Sequence, residues 1–129
     1  MRIKLTSVFV DDQDKALKFY TEVLGFTKKH EFKAGQYTWL TVVSPEDPEG
    51  TQLVLELNSN PAAKTYQQDI FRQGVAAANF FVDDVQKEHD RIKQHGVKFT
   101  KDPTKTTGST IAILDDTCGN LIQITHLDW

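Results

Sequence analysis

The sequence predicts an α+β fold in which one β-α-β-β-β module is used twice. Three observations predict it. The run Ser7-Val8-Phe9-Val10-Asp11-Asp12 is echoed by Asn79-Phe80-Phe81-Val82-Asp83-Asp84, each an apolar stretch closed by two aspartates. Each run is followed by a charged, helix-like segment that stops at a glycine, Gly25 or Gly96. A D-x-x-G turn then recurs late in each half, as Asp47-Pro48-Glu49-Gly50 and as Asp116-Thr117-Cys118-Gly119. Size alternation in the apolar runs reads as strand. Aspartate at the helix start caps unpaired N–H groups and suits the positive end of the helix dipole, and glycine suits the left-handed residue that ends a helix. The same order of signals in both halves marks a duplication.

The elements follow in order. Residues 2–10 alternate as a strand. Residues 12–24 set Ala16, Leu17, Tyr20, Val23 and Leu24 at helical spacing, an amphipathic helix that Gly25-Phe26 ends. Residues 26–33 and 37–44 read as strands joined by Ala34-Gly35-Gln36, and Thr51 to Leu57 as the last strand of the first module. The first module is assigned to 1–58 and the second to 74–129. The stretch 59–73 is a linker, with a helical turn or an irregular crossover open for 64–72. In the second module Val75 to Val82 reads as strand. Val85 to His95 reads as helix with Val85, His89 and Ile92 towards the core, and Val97 to Thr100 as a short strand. Lys101 to Thr107 is expected to be a polar loop, and 109–115 and 120–127 are the last strands.

Composition narrows the function. A chain of 129 residues suffices for one domain with a real core, and 39% apolar residues suit a globular protein. A formal charge of −3 gives no basic footprint for nucleic acid. No apolar run is long enough to span a membrane, and Met1-Arg2-Ile3-Lys4 enters a strand pattern without a signal-peptide core. The single cysteine, Cys118, excludes an internal disulfide and any multi-cysteine zinc site. The expected location is the cytoplasm. Cys118 sits beside Asp115 and Asp116, whose charges disfavour a thiolate, so it reads as a turn residue rather than a nucleophile.

Val8-Phe9-Val10-Asp11-Asp12 and the run from Ala16 to Phe26 resemble the vicinal oxygen chelate superfamily, which includes glyoxalase I, bleomycin-resistance proteins and extradiol dioxygenases. The second run, Ala16-Leu17-Lys18-Phe19-Tyr20-Thr21-Glu22-Val23-Leu24-Gly25-Phe26, is similar to the family's A-x-x-F-Y-x-x-x-L-G-F signature. Phe81-Val82-Asp83-Asp84-Val85, Gly96-Val97 and Asp116-Thr117-Cys118-Gly119-Asn120-Leu121-Ile122 extend the match, with Thr117 where the family has proline. The resemblance implies that the two modules form an eight-stranded, cup-shaped open barrel with helices outside and a ligand in the cup. It also implies a homodimer, and in metal-using members a divalent ion held by side chains from the first and last strand of each module.

Residue by residue, the implied metal positions fall on Leu5, Glu56, Ala77 and Gln123. Leu5 and Ala77 have no donor atom, so Glu56 and Gln123 would hold a divalent ion weakly. No cofactor is therefore expected beyond a weakly bound divalent metal. His30 lies on the second strand, His89 and His95 on the second helix, and His126 faces away from Gln123; all four are read as surface or rim histidines. Strand alternation from the same positions lines the cup with Ser7, Phe9, Trp39, Asn79 and Phe81 around Glu56 and Gln123. Trp129 reads as a dimer or packing contact. Such a lining suits a small organic ligand with a planar part. Glu56 is then a hydrogen-bond acceptor for ligand or a general base. Three readings follow: a metal-free ligand-binding protein; a metal-dependent or Glu56-based lyase, isomerase or dioxygenase of the glyoxalase type; and a dimer with a structural role.

Overall fold

Each half of the chain builds its own four-stranded sheet. The computed structural model describes every residue from Met1 to Trp129. It divides into two units, Met1–Lys64 and Thr65–Trp129.

In the first unit β1 (Leu5–Val10), β2 (Thr27–Ala34), β3 (Tyr37–Val43) and β4 (Gln52–Leu57) stand in the order β1-β4-β3-β2. β1 runs parallel to β4, with Ser7 beside Val54 and Phe9 beside Glu56. β2 and β3 form a hairpin whose two-residue turn needs a positive φ, which Gly35 supplies at 64°. Helix α1 (Gln13–Lys18) starts at Asp12, whose carboxylate accepts the Lys15 N–H at 3.0 Å. Residues with even register on β3 and odd register on β4 face this helix. Val8, Val10, Leu40, Val42, Leu53 and Leu55 are buried there with Ala16 and Tyr20. Gln13 fastens the helix to the sheet, donating from Nε2 to Thr38 O at 3.0 Å and Leu55 O at 2.9 Å.

The helix expected over 12–24 is α-helical only to Lys18. Phe19–Val23 widens into a π-helical turn, where the Leu24 N–H reaches Phe19 O and the Phe26 N–H reaches Tyr20 O. The wider turn accommodates buried Phe19 and Tyr20, with Phe26 stacked on Tyr20 at 6.5 Å between ring centroids.

The second unit repeats the design. β5 (Ala78–Phe81), β6 (Phe99–Thr106), β7 (Ser109–Asp115) and β8 (Leu121–Leu127) stand in the order β5-β8-β7-β6, and β5 is parallel to β8. Helix α3 (Val85–Lys93) starts at Asp84, which accepts the Lys87 N–H at 3.0 Å, as Asp12 does for α1. It buries Val85, His89 and Ile92. The stretch 59–73 contains helix α2 (Pro61–Arg72).

Two sequence expectations are corrected here. Lys101 to Thr107 is not a loop, because β6 continues to Thr106 and pairs with β7 as far as Thr106 beside Ser109. β6 is an edge strand with two register shifts, so it tolerates Pro103 and needs no apolar alternation. His89 faces the core, as its place in the helical stripe indicates, and is not a rim histidine: its ring is buried against Phe99 at 4.3 Å. The two nitrogens lie near Asp90 at 3.0 Å and Asp102 at 3.1 Å.

Candidate functional site

The candidate site is the face of the first sheet that turns away from α1. Alternation on β1 puts Leu5, Ser7 and Phe9 on that face, and the parallel register sets them beside Gln52, Val54 and Glu56. The antiparallel register adds Thr41 beside Val54, so Trp39 and Tyr37 share the face. β2 contributes Phe32 beside Trp39 and His30 beside Thr41. This is the side to which the sequence assigned Trp39.

The chemistry of this face is aromatic with few polar points. Phe32 and Trp39 stack at 6.5 Å and 22° between planes. Trp39, Phe9 and Glu56 are half-buried, while Ser7, Phe32 and Tyr37 are exposed. Tyr37 ionises above the ordinary tyrosine value, first because its phenol is partly desolvated and then because the Glu56 carboxylate opposes a phenolate. Deeper in, Thr41 is fully buried and its hydroxyl donates to Gln52 Oε1 at 2.8 Å.

The corresponding face of the second sheet holds the other predicted residues. Asn79 stands beside Gln123, and Phe81 beside Thr125. Gln123 Nε2 donates to Thr125 Oγ1 at 3.1 Å, and Thr125 Oγ1 donates to Asn79 Oδ1 at 2.7 Å. Phe81 is 61% exposed. Ala77 donates its backbone N–H to Leu121 O and offers only a methyl group.

The donor set does not fit the four-ligand metal site that the resemblance implies. Leu5 and Ala77 present hydrocarbon, which leaves one carboxylate, Glu56, and one neutral amide oxygen, that of Gln123, where four donors are implied. No group of three or more His, Cys, Asp or Glu side chains is placed to hold a metal ion.

The register of β8 depends on the turn before it. Asp116 is fully buried and accepts the Cys118 N–H at 2.7 Å, the Asn120 N–H at 3.0 Å and Asn120 Nδ2 at 2.8 Å. Thr117 has φ 63°, a left-handed value that a proline cannot adopt. Thus the departure from the family's proline coincides with a turn conformation that proline would forbid. From α2, Gln67 donates to Cys118 O at 3.3 Å and Asn120 Oδ1 at 3.1 Å, holding the turn from outside.

A separate cavity of about 400 Å3 opens on the other side of the first sheet. Asp11, Asp12, Asp14, Glu31, Lys33 and Leu57 line it, and none of the predicted site residues does. Four of its nine lining residues are carboxylates and none is aromatic, so it offers an organic ligand little to stack on. The sequence reading missed this cavity, and it missed His30 and Phe32 on the aromatic face. A register shift between Lys28 and His30 breaks the simple alternation of β2, which hid their side. Pairing β2 back from Trp39 across the short hairpin would have found them.

Two modules in a duplicated β-α-β-β-β design, each with one helix-covered face and a second face of mixed aromatic and polar character, define the class of protein. The chain belongs to the Glyoxalase/Bleomycin resistance protein/Dioxygenase superfamily, whose family model matches residues 2–124. It is 57% identical over 124 residues to the uncharacterized protein YurT of Bacillus subtilis (strain 168), covering 96% of this chain and 98% of that one. It is 31% identical over 127 residues to a probable lactoylglutathione lyase of Vibrio cholerae serotype O1 (strain ATCC 39315 / El Tor Inaba N16961), covering 95% and 88%. Among solved structures it is similar to TnmS3, an antibiotic binding protein from Streptomyces sp. CB03234, with TM-score 0.78, 26% identity and coverage of 98% and 96%. No helix is long and apolar enough to cross a membrane.

Proposed function

We propose that this chain binds a small, partly aromatic organic molecule against the face of Phe9, Trp39 and Glu56, without a tightly held metal. Ser7 supplies a further contact on that face in this reading, Asn79, Phe81 and Gln123 are the contacts offered by the second sheet's own face, and the working form is a homodimer in the cytoplasm. The observation that carries it is the Phe32–Trp39 stack on the same face as a half-buried carboxylate, a face that α1 does not cover. Stacked rings present flat area at little entropic cost, and Glu56 gives orientation to a donor or cationic ligand. The likeness to an antibiotic binding protein supports sequestration as the use of such a face. Thermal-shift screening tests it. A ligand raises Tm by mass action, Glu56→Gln weakens the rise, and the compound is recovered unchanged. Product formation would refute sequestration.

A second reading is favoured by the Vibrio cholerae relative. It makes the chain a lyase, isomerase or dioxygenase in which Glu56 acts as base or as a metal ligand. Stoichiometric metal retained through dialysis, with turnover lost in Glu56→Gln, would select it.

A further inference from the structure

We infer that His30 is a specificity residue of the same face, held by Gln52 and Thr41 so that its Nε2 accepts a hydrogen bond from a planar aromatic ligand. The inference rests on the proposed ligand-binding face and adds the ligand's chemical class.

The arrangement begins with backbone pairing. His30 stands beside Thr41, and its N–H donates to Thr41 Oγ1 at 3.2 Å. Thr41 Oγ1 passes its own hydrogen to Gln52 Oε1 at 2.8 Å. The same Oε1 lies 3.2 Å from His30 Nδ1. A carbonyl oxygen has no hydrogen to give, so Nδ1 is the donor. The neutral ring is thereby fixed as the Nδ1–H tautomer, and Nε2 keeps its lone pair. Thr41 is fully buried, so the chain of bonds is anchored in the core while the imidazole it orients is exposed.

The His30 ring sits 6.2 Å from Phe32, and Phe32 stacks on Trp39 at 6.5 Å. Glu56 is on the same face by alternation, two residues beyond the last β3–β4 pair, Thr41 beside Val54. The aromatic shelf thus shares its face with two acceptors, His30 Nε2 and the Glu56 carboxylate. The complement is a planar arene bearing O–H or N–H donors on two edges. The Glu56 charge disfavours an anion. Gln52 and Thr41 are positioning residues, since they act through the imidazole.

The probes are a dihydroxynaphthalene and its dimethyl ether, titrated against Trp39 fluorescence in a Trp129→Phe background, because the chain has two tryptophans. The diol is expected to bind on the order of ten-fold tighter than the ether. His30→Phe keeps an aromatic ring, and it should weaken the diol by on the order of ten-fold while leaving the ether unchanged. Long-range proton–nitrogen couplings should show the Nδ1–H tautomer in the parent protein and its loss in Gln52→Leu. An Nε2–H tautomer in the parent overturns the inference without any ligand. Equal quenching by diol and ether overturns it while the ligand-binding face stands. If neither probe quenches Trp39, the assigned ligand class fails. If other aromatic compounds also leave Trp39 unchanged, the binding face fails with it.

Discussion

Removing the Asp116 carboxylate should unfasten the turn that sets the second sheet. Asp116→Ala leaves buried N–H groups of Cys118 and Asn120 and the Asn120 amide without their acceptor. Hydrogen bonds to a charged group contribute about 1.5–3 kcal/mol each, and loss of a buried partner costs about 1–3 kcal/mol per orphaned group. Relaxation and entering water reduce the sum, so the expected loss is about 3–5 kcal/mol, as for breaking other buried charged networks. For a domain of this size that lowers Tm by roughly 10–20 °C. The assay is thermal and urea denaturation by circular dichroism. Asp116→Asn keeps one acceptor oxygen and should fall between Ala and the parent. Asp11→Ala is the control, since its pair with Lys15 spans 3.3 Å with both side chains 46% exposed. It should cost no more than about 0.5 kcal/mol. The reasoning is refuted if Asp116→Ala melts within the range of the Asp11 control.

The same turn makes a coupled prediction. A Cβ on Gly119, at φ 101°, would meet Gln67 Nε2 at 2.8 Å, so Gly119→Ala should cost about 1–3 kcal/mol by urea titration. Adding Gln67→Ala should recover the clash but not the backbone strain. The repeated N-caps should behave alike: Asp12→Ala and Asp84→Ala each lose one bond of 3.0 Å and about 1 kcal/mol, measured by thermal melts. Tyr37 gives a pH test. Its raised value in the folded chain favours the neutral phenol, so its contribution is present below the ordinary tyrosine range and is lost as pH rises through the raised value. Burial, the first cause, remains in Glu56→Gln, and the second goes, so phenolate absorbance should appear at lower pH in that variant. An unchanged titration would separate Tyr37 from Glu56.

The fold was legible because its signals are local and repeated. Asp12 and Asp84 cap helices as the doubled motif indicated, and Leu40 and Val42 turn to the helix while Trp39 and Thr41 turn away. β6 was missed because an edge strand with shifted register has no apolar period to read. The π-helical turn was missed because Phe19 and Tyr20 fit an α-helical stripe equally well. Within the site, Glu56 was reached through the position that the family resemblance implies, and Trp39 through strand alternation and the preference of Trp for a face not covered by a helix. His30 did not, because a bulge changes the side it faces, and its tie to Gln52 joins strands far apart in sequence.

If the proposed reading holds, ligand occupies the aromatic face of the first sheet and not the acidic cavity behind it. Amide chemical-shift mapping with a bound aromatic compound tests this most directly. Binding at the aromatic face should give shifts at Phe32, Trp39, Gln52 and Glu56 that vanish in Trp39→Ala. Shifts confined to Asp11, Asp14, Glu31 and Lys33, unaltered by that substitution, would contradict it.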